Sequence, residues 1–154
     1  MKRIFLVACI AAGALAGPAT AANSYVKGFL QVSHAWIRAT PPGADVAAAY
    51  LEIRNTGKER DRLVAASSPA AERVEMHVMA HEGGVMKMRE VQSLDVPARK
   101  QLVLRPGGPH LMIIGPRQAF AKGQRIPLVL RFERGGDVQL HLEVRAAGAT
   151  KPHH

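Results

Sequence analysis

The sequence predicts an all-β sandwich or barrel that follows a short N-terminal leader. Three observations carry this. Short apolar segments recur along the chain, turn signals rich in Gly and Pro separate them, and several of the segments alternate apolar and polar residues with period two. No stretch after the leader shows a helical period. There is no internal repeat, low-complexity segment or second domain.

The leader is read first. Met1-Lys2-Arg3 is a basic start, an apolar run extends from Ile4 to Leu15, and Ala19-Thr20-Ala21 is a small-x-small site. This is the pattern of a secretory signal peptide, with cleavage expected after Ala21 or Ala22. The run is shorter than the roughly 20 apolar residues a spanning helix needs, and no other segment approaches that length. Residues 1–22 are therefore the expected signal peptide, 23–146 the folded domain, and 147–154 a disordered tail. Leu6-Val7-Ala8-Cys9 resembles a lipoprotein cleavage box. Cleavage there would leave almost no apolar segment ahead of it, so a Cys inside the discarded leader is the preferred reading. The mature chain then has no cysteine, which excludes disulfides, thiol redox chemistry and thiolate metal sites.

Strands are expected near residues 30–38, 46–54, 63–67, 74–80, 85–91, 101–104, 111–114, 126–132 and 138–144. Pro41-Pro42-Gly43, Asn55-Thr56-Gly57, Glu82-Gly83-Gly84, Pro106-Gly107-Gly108-Pro109, Gly115-Pro116, Lys122-Gly123 and Gly135-Gly136 lie between them. The last segment alternates most clearly. Val138, Leu140, Leu142 and Val144 take one face, and Gln139, His141, Glu143 and Arg145 the other.

The chain carries a formal charge of +9, and only two of its basic residues, Lys2 and Arg3, fall in the leader. The remaining cations are scattered, with few aromatics among them. That is a solvated basic surface rather than a nucleic-acid interface, and an exported protein would not meet nucleic acid.

The chemistry concentrates in Val74-Glu75-Met76-His77-Val78-Met79-Ala80-His81-Glu82-Gly83-Gly84-Val85-Met86-Lys87-Met88-Arg89. This reads as a hairpin. A two-residue loop at Glu82-Gly83 would set His77 directly opposite Met88, and Met79 opposite Met86. Val74, Met76, Val78 and Ala80 would form the core face with Val85 and Val91. Downstream, His110 and Met112 share a face because i and i+2 in a strand do, with Leu111 free to point inward. Two imidazoles and two thioethers, each pair on one face, can close around one ion. Thioethers select Cu(I) and are poor ligands for zinc, calcium or magnesium, while imidazole accepts copper readily. Outside the cytoplasm, Met and His avoid the oxidation that would consume a thiol. Any one of these residues alone would more often be a core Met or a surface His, so the set of four carries the reading.

The spacing His77-x10-Met88-x21-His110-x-Met112 is similar to the motif of the periplasmic copper chaperone family called PCu(A)C. The resemblance covers most of the mature chain: Ala35-Trp36-Ile37-Arg38, Pro41-Pro42-Gly43, Ala48-Ala49-Tyr50-Leu51-Glu52-Ile53-Arg54-Asn55, Val74-Glu75-Met76-His77, Gly83-Gly84-Val85-Met86-Lys87-Met88-Arg89 and Gly107-Gly108-Pro109-His110-Leu111-Met112. It implies a Greek-key, cupredoxin-like β-sandwich in the periplasm. It implies Cu(I) held by His77, Met88, His110 and Met112. It also implies delivery of copper to the copper-site subunit of respiratory cytochrome c oxidase, alongside a Sco-type metallochaperone. Tails in this family sometimes take up Cu(II), and His153-His154 is either such a secondary site or an inert end.

The neighbours of the motif read more blandly. Met79, His81 and Met86 are secondary ligands, stepping stones during transfer, or plain neighbours, with the last preferred. Trp36 is a cover over the site or a buried core residue, with the second preferred; Asn55 is expected in turn chemistry, and His34 and His141 as structural or surface residues. Rival functions are weaker. A blue-copper electron carrier needs a Cys thiolate that the mature chain lacks. No nucleophile elbow, phosphate loop or metal-hydrolase helix motif is present, so the chain reads as a non-enzyme. Copper sequestration for tolerance would use the same site as delivery. A metal-free interaction module would leave the His/Met spacing to coincidence.

Overall fold

The structure is a computed structural model that describes residues 23–150. Its burial pattern shows why the strands form. In Gly136–Arg145 the residues Val138, Leu140, Leu142 and Val144 are buried and the intervening Gln139, His141 and Glu143 are exposed, as period-two alternation requires. The same logic runs through eleven strands: β1 (Tyr25–Lys27), β2 (Leu30–Arg38), β3 (Val46–Asn55), β4 (Asp61–Ser67), β5 (Ala71–Glu82), β6 (Val85–Val91), β7 (Leu94–Val96), β8 (Gln101–Leu104), β9 (His110–Pro116), β10 (Arg125–Phe132) and β11 (Gly136–Arg145). All nine expected segments are strands. The two that sequence reading missed, β1 and β7, have three residues each, too few to establish a period.

The hydrogen-bonded path is β6-β5-β9-β3-β2-β11-β10-β4-β7, with β1 added to β2 and β8 to β3. β2 and β11 pair in parallel and join the two layers, while every other pairing is antiparallel. Strands distant in sequence lie side by side, β5 with β9 and β9 with β3, which is the long-connection pattern of a Greek key. The inner faces of both layers share one core that includes Leu51, Ile53, Leu111, Ile113, Leu128, Leu130 and Leu142. Each such side chain stabilises the fold by roughly 1.5–3 kcal/mol relative to exposure.

Asp61 locks the end of the sandwich where β10 turns into β11. It is buried, and its carboxylate accepts the backbone N–H groups of Arg62 (2.7 Å), Arg134 (2.9 Å) and Gly135 (2.9 Å). Nearby, Asn55 does the turn work expected of it. Its Oδ1 accepts Gly57 N–H at 2.9 Å, and its Nδ2 donates to the carbonyls of Glu59 and Val96.

Residues 1–22, with the expected signal peptide and Cys9, lie outside the described residues, as do 151–154 with His153 and His154. The first part of the expected tail is described. Ala149 N–H bonds back to Ala146 O, and Arg38 Nε donates to Ala149 O at 3.3 Å.

Candidate metal centre

The register of the β5–β6 hairpin differs from the expected one, and the turn explains why. A two-residue hairpin loop of the favoured twist needs positive φ at both central residues. Gly83 and Gly84 supply it, with φ of 57° and 78°, whereas a loop at Glu82-Gly83 would force Glu82 into a conformation that L side chains resist. The loop therefore sits one residue later and each pairing moves by two. His77 stands opposite Glu90, Met79 opposite Met88, and His81 opposite Met86. A shift of two keeps every side chain on its expected face, so Met88 still shares a face with His77, now on the diagonal. The inner face is also close to expectation: Met76 is buried, Val74, Val78 and Val91 pack against the core, and Val85 is exposed.

On the other side of β5, β9 brings His110 directly opposite His77 and Met112 opposite Glu75. The two imidazole centroids are 5.6 Å apart. Met112 thus lies at the second diagonal of His77. His77 is the hub, His110 its direct partner, and Met88 and Met112 flank the pair in opposite directions along the strands. His110 is only 6% exposed and Met88 is 55% exposed, so the set runs from the sheet interior to open solvent.

Hydrogen bonding fixes which nitrogens carry lone pairs. A backbone carbonyl only accepts, so the 2.9 Å contact between His110 Nδ1 and Gly108 O requires Nδ1–H. That leaves His110 Nε2 as the basic nitrogen. The loop before β9 makes this contact possible, because Gly107 turns at φ 80° and Gly108 N–H closes on Arg105 O. His77 Nε2 is 2.9 Å from Glu75 Oε2. The hydrogen bond from His77 and then that from Arg73 hold the Glu75 carboxyl below its usual range, so it is an acceptor and Nε2 carries the proton. His77 Nδ1 is then the basic nitrogen. It is buried and has no hydrogen-bond partner among the described residues. A buried imidazole nitrogen without a partner carries a desolvation cost that a bound cation would remove.

Among the described residues no group of three His, Cys, Asp or Glu side chains could hold a metal. A metal at this face has to draw on thioethers, which limits the choice to soft ions.

An aromatic row extends from the site, and it contains the buried Trp36 expected from the sequence. Trp36 is buried, but on the outer face of β2 and apart from the main core cluster. It stacks on Tyr50 with centroids 4.6 Å apart, and Tyr50 lies 6.4 Å from His110. Arg38 covers Tyr50 and Arg145 covers Trp36. Burial pushes the Tyr50 hydroxyl above its ordinary pKa, against a smaller opposite effect of Arg38. The row therefore walls His110 with neutral rings on its β3 side. His34 and His141 stand apart from the site. His34 Nδ1 pairs with Glu52 at 3.1 Å, and His141 is exposed on β11.

A cleft of about 920 Å³ lies where β2 begins and β3 ends, lined by Lys27, Phe29, Arg60, Asp61, Arg99 and Arg134 among others. Size does not make it the site of soft-metal chemistry, because none of its lining residues is a His or Met.

Comparison with known proteins accords with this architecture. Three solved structures that resemble the chain are PCuAC domains or a copper protein. The copper-bound PCuAC domain from PmoF2 is 23% identical, covers 80% of this chain and 98% of its own, and superposes with a TM-score of 0.70. The apo PCuAC domain from PmoF1 is 26% identical over 80% of this chain and 99% of its own, with a TM-score of 0.70. CuI-DR1885 from Deinococcus radiodurans is 29% identical over 87% of this chain and 83% of its own, with a TM-score of 0.60. The fold is thus the all-β, cupredoxin-like sandwich expected from the sequence. "Putative lipoprotein Lxx21020" from Leifsonia xyli subsp. xyli is 34% identical over 117 residues, 75% of this chain and 69% of that protein. The family model described as "Putative lipoprotein LpqE-like" matches residues 30–144, from the first residue of β2 almost to the end of β11. The chain belongs to the LpqE-like family.

Proposed function

We propose that this protein is a copper chaperone that binds one Cu(I) with His77, His110, Met88 and Met112 and passes it on outside the cytoplasm. One observation carries the reading. The basic nitrogens His77 Nδ1 and His110 Nε2 stand on directly paired positions of adjacent strands, one of them buried without a partner, with a thioether at each diagonal. Two imidazoles and two thioethers are the donor set that suits Cu(I) and excludes hard cations. The likeness to the copper-bound domain from PmoF2 and to CuI-DR1885 supports it.

The chemistry follows from the geometry. His110 is fixed by Gly108 and the aromatic wall, and His77 by Glu75, so the nitrogen donors are set before metal arrives. Met88, exposed and with three rotatable bonds, is the donor that swings in and the first to let go. Release then proceeds by exchange of one ligand at a time with an acceptor that approaches from the hairpin side, without free ion. The acceptor is the copper-site subunit of respiratory cytochrome c oxidase, with a Sco-type metallochaperone as the other partner. Either processing of the leader, at Ala21-Ala22 or at Cys9 with a lipid anchor, would place the domain in the periplasm, and the lipoprotein names of the family and of the Leifsonia relative support export.

The test is an anaerobic Cu(I) titration of the mature chain against a calibrated competing chelator, beside a His77→Ala/Met88→Leu/His110→Ala/Met112→Leu variant. Tight binding by the native chain, lost in the folded variant, is expected. Equal binding by both would remove the proposed site.

A further inference from the structure

Five of the six methionines fall among the described residues, and four of them, Met79, Met86, Met88 and Met112, lie on the face that carries His77 and His110. Met76 alone is in the core. Packing does not account for Met86 and Met88, which are 45% and 55% exposed, while Met79 and Met112 are half-buried. Methionine normally fills irregular gaps in cores, and its thioether has no role in open solvent unless it meets a soft partner.

The corrected register arranges these side chains in rungs. Met79 stands opposite Met88, and His81 opposite Met86. Directly opposed Cβ atoms are about 5 Å apart, and the next rung on the same face is about 7 Å further along the strands. Three thioethers and one imidazole therefore surround one small area at the outer end of the hairpin, just beyond His77. The cations of the hairpin do not intrude. Lys87 and Arg89 pair with Ala80 and Val78 on the opposite face, where Glu82 bonds to both, so no positive charge sits among the sulfurs.

We propose that Met79, His81 and Met86 form a second Cu(I) position at the hairpin tip, with Met88 shared between it and the inner site. This rests on the inner copper site proposed above. His81 and Met86 are exposed whereas His77 is half-buried and His110 buried, no carboxylate or carbonyl among the described residues orients His81, and the tip donors are mostly thioethers, so the outer position binds more weakly and exchanges faster. Copper entering or leaving crosses it: the outer position takes the ion from solvent or gives it to the acceptor, and rotation of Met88 carries it one rung to or from His77.

The experiment titrates the mature chain anaerobically with Cu(I) against a calibrated chelator, beside a Met79→Leu/His81→Ala/Met86→Leu variant that keeps the inner four donors. In parallel, Ag(I), a closed-shell stand-in for Cu(I), is titrated while the methionine methyl resonances are followed by NMR. The wild type should bind two equivalents, the second at least tenfold weaker. The tip variant should bind one, with the tighter affinity changed by less than about threefold. The Met112 methyl should shift with the first Ag(I) equivalent, the Met79 and Met86 methyls with the second, and the core Met76 methyl with neither. One equivalent only, with the Met79 and Met86 methyls unmoved, overturns the outer position and leaves the inner site standing. A second equivalent that persists in the tip variant also overturns it. No binding by the wild type removes both.

Discussion

His77 and His110 face one another across β5 and β9 with ring centroids 5.6 Å apart, each held through one nitrogen by a neighbour two residues earlier in its own chain segment. His77 Nε2–H donates to the Glu75 carboxylate and His110 Nδ1–H to Gly108 O. The two rings consequently offer different nitrogens, Nδ1 of His77 and Nε2 of His110.

Glu75→Ala should therefore weaken copper binding without changing its stoichiometry. Removal of the carboxylate lets His77 change tautomer and orientation, and loss of such an outer partner lowers metal affinity by about 10–100-fold. His77→Ala or His110→Ala should lower it at least that much. Chelator competition measures each. An unchanged affinity in Glu75→Ala would mean that the Glu75 contact plays no part in presenting Nδ1.

Met88→Leu and Met112→Leu remove sulfur at nearly constant volume, so each should cost less than about 1.5 kcal/mol of stability while weakening Cu(I) binding. Urea unfolding and chelator competition separate the two effects. A large stability loss with intact binding would show that these methionines serve packing.

Copper affinity should fall as the pH drops through the imidazole range, roughly pH 7 to 6, because protons compete for both basic nitrogens. Affinity measured at steps from pH 8 to 5 checks this, and a flat profile would remove histidine from the ligand set.

Asp61→Ala should destabilise the domain by about 3 kcal/mol, since three backbone N–H groups lose a charged acceptor in a buried position. Thermal unfolding of the apo protein reads it. Gly84→Val should cost about 1–2 kcal/mol through its positive φ, whereas Gly83→Asn should be nearly neutral because Asn tolerates that turn position.

The pH dependence of stability has one readable contributor away from the site. The hydrogen bond from Arg131 holds the Asp137 carboxyl below its ordinary value of 3.8. Its contribution is therefore fully present above that value and is lost as the pH falls through the lowered one. Both side chains are well exposed, so the effect is small. Asp137→Asn should lower the urea midpoint slightly at pH 7, and the difference from wild type should shrink toward pH 2.

Much of this protein was legible in its residues. Alternation in Val138 to Val144 and Gly/Pro punctuation gave the strands, because burial on one face of a pleated strand imposes period two. The four proposed donors His77, Met88, His110 and Met112 stand out in the sequence because ligand softness is a property of residue type. Local chemistry also held the answer to the turn, since only Gly83-Gly84 offers two residues at ease with positive φ. The sequence reading placed the loop one residue early and so mispaired the rungs. What only the tertiary structure decided is which donors meet. β9 comes to lie beside β5 through a long connection, and no local period encodes that neighbour. The same is true of Trp36, whose apolar character was plain but whose place on the outer face, stacked against Tyr50 beside His110, depends on strands brought together from distant parts of the chain. Residue type and period set each strand's faces locally, whereas the partner of each face is chosen by the burial of the whole core.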